Sequence, residues 1–309
     1  MKSQILQILK TNEQPLSGER LSAALGVSRV SVWKHIRKLR ELGYDILGTP
    51  KGYRVLNSPD TPFPWEFTGR ESKIVYFKEV SSTMDVAKNL ARDGCSDFTV
   101  VVADRQKKGR GRLNRTWLSA QGGLYFTMVL RPQITIVSSS RVSFAASAVL
   151  ARVIRQMFDI DAMVKWPNDI LVDERKISGM LTELDAEADR VNFINIGIGL
   201  NVNNDPSRNE PQASSLKKIL GHHVSRKQLL ARYLDEFENW MKNADFDNVV
   251  SEWKKYTLTL NRRVKIVTSQ EVNEGLAVDV DENGALILKT ADGTFKKIRY
   301  GDCFHQDPD

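Results

Sequence analysis

Cysteine is scarce here: Cys95 and Cys303 stand alone, far apart and outside any CxxC pair. That spacing favours two free thiols over a disulfide or a metal site. Histidine is also sparse, and His222, His223 and His305 lack ligand spacing, so no metal ligand can be named. No apolar run reaches the roughly 18 residues of a membrane span, and the first residues lack an apolar signal segment. The expectation is a cytoplasmic protein with no membrane partner. Internal repeats and low-complexity tracts are missing too, which excludes solenoid architectures.

What remains is an ordinary globular composition, 41% hydrophobic and 27% charged over 309 residues. That is enough chain for two or three domains with a sizeable core. The net charge of +7 permits an anionic partner without proving one. The charge is concentrated. Arg105, Lys107, Lys108, Arg110, Arg112 and Arg115 put six cations in eleven residues, around the segment GRGRLNRTW at 109–117. Apolar runs of strand length, residues 98–103 and 123–130, flank it. Glycines let backbone N–H groups approach a ligand, and arginine forks grip carboxylate or phosphate oxygens in pairs. A solvated loop or a non-specific nucleic-acid patch would carry the same charge. Glycines alternating with arginines between core strands favour a loop ordered by an anion. It is not a P-loop, because GxxxxGK[ST] is absent, nor a dinucleotide fingerprint, because Asn114 stands where a third glycine is needed.

The first fifty-six residues read as three short helices and a basic hairpin. Ser17 and Ser28 cap the second and third helices, and Gly43 stops the third. Val32, Ile36 and Leu39 share one face of the third helix, and Arg29, Ser31, Lys34 and Lys38 lie mostly away from it. Lys51 sits near the hairpin tip. This is the pattern of a winged helix-turn-helix, with Ser28, Arg29, Ser31, Lys34, Lys38 and Lys51 as DNA-facing candidates. A protein-interaction bundle with a basic face is the competing reading. Pro59, Pro62 and Pro64 then predict a stiff linker.

Residues 74–80 read as a strand, followed by Ser81, Ser82 and Thr83 capping a helix to about Arg92. Residues 139–158 read as a packed helix. The run VKWPNDILVD at 164–173 puts Lys165 inside an apolar strand, where an ammonium is costly unless an anion meets it or it snorkels out. Pro167 and Asn168 force a turn, and Asp169 either assists magnesium or caps that turn. Residues 191–202 form a strand ending GIGLNVN, with Gly197 and Gly199 giving backbone access. Residues 203–215 are a lid or a surface loop, and 225–257 two amphipathic helices. Four short β runs at 262–267, 276–280, 285–288 and 295–299 close the chain, with turns at Gly284 and Gly293.

Several of these segments carry a resemblance. GRGR-x-x-R-x-W, followed by Ser119 and Gly122 to Tyr125, resembles the active-site loop of biotin protein ligases. KWPND and the run from Lys176 through Gly179 to Leu181 resemble two further motifs of that family. SRVSVWKHIRKLRELGYDILGTPKGYRV resembles the DNA-binding domain of its bifunctional, repressor form. The resemblance spans nearly the whole chain and implies an α+β multidomain fold. Its parts are a winged helix-turn-helix at 1–57, a linker at 58–67, a ligase domain related to class II aminoacyl-tRNA synthetases at 68–260, and an SH3-like β barrel at 261–309.

The implied activity is ATP-dependent formation of biotinyl-5'-AMP, with magnesium, and transfer of biotin to a lysine of a biotin carboxyl carrier protein. The implied regulation is ligand-controlled repression by a homodimer on an inverted-repeat operator. By the same resemblance, Ser82, Thr83, Gln106, Gly109 and Gly179 line the biotin site. Arg110, Arg112 and Lys165 touch biotin and carry the chemistry. Arg112, Arg115, Trp117, Lys165, Asn168 and Asn201 meet the nucleotide, with Trp117 alternatively a plain core residue. The chain departs from the family pattern at Met84 (usually Asn), Leu113-Asn114 (usually Arg-Gly) and Ala120 (usually Pro). A lipoate-ligase-like acyl transferase would need an RRxSGGG-type segment, which is absent. A ligand-sensing winged-helix regulator without activity would explain residues 1–56 but not the arginine loop and KWPND together.

Overall fold

The computed structural model describes residues 1–243, 248–268 and 270–306. They fall into two compact units, Met1–Ser72 and Lys73–Asp309.

In the first unit, α1 (Lys2–Lys10) buries Ile5, Leu6 and Leu9. Helix α2 (Gly18–Leu25) starts where the Ser17 hydroxyl accepts the Arg20 N–H at 3.1 Å, and ends at Gly26 with φ 63°. Helix α3 (Arg29–Glu41) starts where Ser28 accepts the Ser31 N–H at 3.2 Å, and buries Val32, Ile36 and Leu39. Both expected serine caps are present. Strands β1 (Asp45–Thr49) and β2 (Gly52–Asn57) pair as the antiparallel wing. The proline segment that follows does not hang free as a spacer. Phe63 and Phe67 are buried, and Phe63 stacks on Trp65 at 4.7 Å. Trp65 Nε1 donates to the Tyr44 hydroxyl at 2.9 Å, Tyr44 donates to Glu66, and Lys10 pairs with Glu66 at 3.0 Å. Three aromatics within five residues bury more apolar area than the prolines can hold extended in water.

The second unit is built on a seven-stranded sheet. Its strands are β3 (Ile74–Phe77), β4 (Thr99–Ala103), β5 (Leu124–Leu130), β6 (Met163–Lys165), β7 (Asp169–Val172), β8 (Arg175–Glu187) and β9 (Arg190–Leu200), in the order β3-β4-β5-β9-β8-β7-β6. Only β3 and β4 run parallel, so the sheet is mixed. The strand expected to begin at Phe98 begins at Thr99. Phe98 has φ 59°, which ladder geometry forbids, and its ring packs edge-on to Phe237. Helix α4 (Thr83–Arg92) covers one face, with Ala87 and Ala91 against Val101, Val129 and Phe193. Helices α5 (Ser139–Phe158), α7 (Arg226–Asn243) and α8 (Val249–Lys254) build the core on the other, where Phe126 meets Tyr233 and Phe144 meets Trp253. A short α6 (Leu216–Leu220) precedes α7.

The chain ends in a five-stranded antiparallel SH3-like sheet of β10 (Arg263–Val267), β11 (Val272–Val280), β12 (Leu286–Lys289), β13 (Phe295–Ile298) and β14 (Asp302–His305), ordered β13-β12-β11-β10-β14. The last strand was not expected, because its four residues carry no clear alternation. Trp166 ties this sheet to the KWPND turn, its Nε1 donating to the Gly284 carbonyl at 3.0 Å. No helix among the described residues is long and apolar enough to cross a membrane.

Candidate active site

The pairing of β8 with β9 sets Gly179 opposite Gly199, with Gly197 further along the same face. Three missing side chains leave a trough in the sheet. Trp117 and Met84 fill it. A Cβ on Gly199 would collide with the Trp117 indole, one on Gly179 would lie 3.0 Å from it, and one on Gly197 would lie 2.6 Å from Met84 Sδ. Gly179 makes room, and that room is taken by Trp117. The indole Nε1 is buried with no partner among the described residues. Around this trough lies a cavity of about 400 Å³, within the usual size of a small-molecule site.

The basic loop closes over it. The Gly109 carbonyl accepts the Trp117 N–H at 2.9 Å, and the Gly111 N–H donates to the Arg115 carbonyl at 2.7 Å. A Cβ on Gly109 would strike the Trp117 carbonyl, so the loop closes only with glycine there. Leu113 and Asn114 turn the tip with φ of 53° and 57°. Asparagine accepts that left-handed conformation readily and leucine does so at a cost, which is the physical content of the departure from Arg-Gly.

At the far end sit Ser82, Thr83 and Gln106. Ser82 occupies the N-cap position of α4, but its hydroxyl caps nothing. Gln106 does the capping instead: its Oε1 accepts the Thr83 N–H at 2.8 Å and the Thr83 hydroxyl at 3.0 Å, and its Nε2 donates to Ser119 at 2.9 Å. Ser82 Oγ is left buried and unpartnered among the described residues, facing the cavity. A buried polar atom without a partner costs about 1–3 kcal/mol, a penalty that a ligand hydrogen bond removes.

The cations divide into two groups. Arg110 pairs with Asp85 at 2.9 Å and Glu183 at 2.8 Å, Arg115 pairs with Asp302, and Lys176 pairs with Asp169 at 2.7 Å. Among the described residues Arg112 reaches only neutral oxygens, Asn168 Oδ1 at 3.1 Å and the Gly301 carbonyl at 3.2 Å. Burial lowers its pKa, opposed by the more distant Asp302 and Asp169. Lys165, at the end of β6, lines the cavity and forms no ion pair among the described residues. Asn168 donates its amide to the Met180 carbonyl, and buried Asn201 accepts from Asn204 at 2.8 Å. All the expected biotin- and nucleotide-site residues line this cavity except Gly109, which shapes the loop.

The C-terminal sheet contributes a wall that sequence reasoning missed: Asp302, Cys303 and Phe304. No local motif marks them. Burial pushes the Cys303 thiol up to about 12, so it is held protonated. His305 lies behind it, its Nε2 3.3 Å from the Thr259 hydroxyl. Burial first, then Lys165 and Arg262, lower its pKa to about 4, against the pull of Glu174. The segment 203–215 is pinned rather than free, with Gln212 accepting the Lys176 N–H and Asn203 donating to the Gly122 carbonyl. No group of three His, Cys, Asp or Glu that could hold a metal ion occurs among the described residues.

In the other unit, Arg29, Lys34, Lys38 and Lys51 are exposed, Ser31 is half-buried, and Ser28 spends its hydroxyl on the α3 cap.

Comparisons with known proteins agree with this architecture. Residues 76–203 match the biotin/lipoate A/B protein ligase family, 2–54 an HTH domain, and 259–306 the biotin protein ligase C-terminal domain. The chain is 34% identical over 302 residues to the bifunctional ligase/repressor BirA of Bacillus subtilis, covering 93% of each chain. It is 28% identical over 304 residues to that of Escherichia coli, covering 93% of this chain and 92% of that one. Among solved structures, a biotin protein ligase from Aquifex aeolicus in complex with biotin and ATP superposes with TM-score 0.65 at 30% identity, over 76% of this chain and 99% of that one.

Proposed function

This chain belongs to the family of bifunctional biotin ligase/repressors, and from that premise we propose how its pocket and its helix-turn-helix divide the work. It is a biotin–protein ligase that also acts as a repressor, and biotin and ATP are its substrates. A biotin carboxyl carrier and DNA are its partner classes. In the first step a biotin carboxylate oxygen attacks the α-phosphorus of ATP and pyrophosphate leaves. In the second, a carrier lysine amine attacks the acyl carbon of the mixed anhydride, a proton is lost, and AMP leaves. No protein nucleophile is needed, so catalysis rests on holding two anions together in a dry site.

The observation that carries this reading is the pair of cations without carboxylate partners among the described residues, Arg112 and Lys165, on one cavity. They hold the phosphate and the biotin carboxylate. Arg110 and Arg115 exchange their own carboxylates for substrate as the loop reorganises. Trp117 leaves the glycine trough when ligand enters, so that Gly179 faces the biotin rings and the indole braces the nucleotide beside Asn168 and Asn201. Ser82, with Thr83 and Gln106 behind it, takes the polar head of biotin. Asp169 is engaged by Lys176 at 2.7 Å, and the magnesium ion enters with the nucleotide's phosphates. The loaded chain dimerises, and the dimer spans an inverted repeat because one winged helix reads only a half-site.

The test is incubation with biotin, ATP, magnesium and a carrier domain. A mass gain on one carrier lysine with pyrophosphate release is expected, and absence of both refutes the ligase mechanism. Sedimentation with and without the two ligands tests the dimer, and equal association in both states refutes ligand control.

A further inference from the structure

The outward stripe of α3 differs from a purely electrostatic DNA-binding face. Opposite its buried residues the helix presents Val30, Trp33, Lys34 and Arg37, three and four residues apart and therefore on one side. Val30 is 61% exposed and Trp33 48%, and the Arg37 guanidinium lies 5.1 Å from the Trp33 ring centroid. Arg29 flanks this stripe at the start of the helix.

Two exposed apolar side chains on a short helix need a surface to meet. Protein interfaces exclude charge from their centres, whereas here cations stand directly among the apolar groups. The matching surface is polyanionic at its edges and apolar in spots. The major groove has both properties, with phosphate walls and the C5-methyl groups of thymine on its floor. Residues near the start of a recognition helix are the ones that reach base edges, and Val30 and Trp33 lie in the first turn and just beyond it.

We propose that Val30 and Trp33 read thymine methyl groups in the operator half-site, and that Arg37 is a positioning residue that holds the indole ring for this contact. The proposal rests on the reading of this unit as a DNA-binding domain and adds the base chemistry it recognises.

The experiment uses the full chain loaded with biotin, ATP and magnesium. A half-site is selected from random duplexes, and each thymine is replaced in turn by deoxyuridine, which removes only the methyl group. Losing a buried methyl should weaken binding about three- to fivefold at one or two positions. Val30→Ala and Trp33→Ala should each weaken the thymine duplex and erase the thymine/uracil difference at a matching position. All three side chains are exposed, so melting temperatures should stay unchanged. Arg37→Gln should blunt the discrimination, and Arg37→Lys, which keeps a cation over the ring, should restore part of it. Equal affinity for thymine and uracil at every position overturns the proposal. So does discrimination that persists in both alanine variants, or a selected half-site without A·T pairs. A wild-type chain that selects no sequence overturns the DNA-binding reading itself, an outcome distinct from a tight binder indifferent to the methyl.

Discussion

Arg110 and Arg115, in the active-site loop, already face carboxylates of their own chain, whereas Arg29 and Lys34 on α3 pair with none among the described residues. Arg112, between Arg110 and Arg115, is part-buried in the cavity, where an unpaired cation is expensive. The helix faces water, which screens its cations at little cost until DNA displaces the counterions. Enclosed cations are therefore informative when they lack a carboxylate, and exposed ones when apolar side chains stand among them. By the first criterion Arg112 and Lys165 are the pair proposed to work in the pocket. By the second, Val30 and Trp33 mark the reading edge of α3.

Removing Lys165 tests that criterion most severely. Lys165→Gln deletes the cation proposed to meet developing charge, which has no ion pair among the described residues, and biotinyl-adenylate formation should fall about 100- to 1000-fold in a pyrophosphate-exchange assay. A loss under tenfold would place Lys165 with the compensated cations. Arg112→Gly should come next. A lost charged hydrogen bond is worth about 1.5–3 kcal/mol, so the intermediate should dissociate roughly ten- to a hundredfold faster and label lysines indiscriminately. Retention at the wild-type rate, followed by single-turnover trapping, would remove Arg112 from the site.

Acidification probes the enclosed side in another way. With a folded-state pKa of about 4 against an ordinary 6.5, native His305 binds fewer protons than the unfolded chain between those values. Its contribution is complete above pH 6.5 and is lost as pH falls through 4. Denaturant titrations should record a loss on the order of 1–3 kcal/mol across that window, flattened in His305→Asn. A slope identical in the two proteins would mean that other groups carry it. The smallest effects belong to cations that water or a carboxylate already satisfies. Arg115→Gln should change adenylation less than tenfold, because its proposed substrate contact replaces an exposed ion pair it already has with Asp302. Lys34→Gln should lower the salt slope of DNA binding by about 0.9 and leave base preference intact. A changed preference would move Lys34 from the backbone to the bases.

Much of this was legible in the residues. Serine caps, the period of α3 and the apolar runs around the basic loop announced the winged helix and the central sheet, because each is a local signal. The motif residues of the pocket were legible as types, but their partners were not. Nothing near Arg115 in sequence points to Asp302, and nothing near Gly199 says that Trp117 covers it. Ser82 misled for a related reason: a serine before a helix reads as a cap, and only the fold brings Gln106 to take that role. The proline segment misled by composition, since its aromatics find Tyr44 only once the helices pack. Val30 and Trp33 escaped notice because apolar residues at helical spacing are ordinarily core, and only accessibility separates the two cases.

The bonds from Arg112 to Gly301 and from Arg115 to Asp302 join residues 189 and 187 positions apart. During synthesis the winged helix and nearly all of the large sheet can assemble as they emerge, from the N-terminus onward. The arginine loop cannot, since its anchors emerge 189 and 187 residues after it. A nascent chain therefore displays a finished DNA-reading domain well before it owns a ligase site. Stalled chains ending before β14 should carry folded α3 yet leave the arginine loop open to protease, and the pocket should become protected only once β14 has emerged.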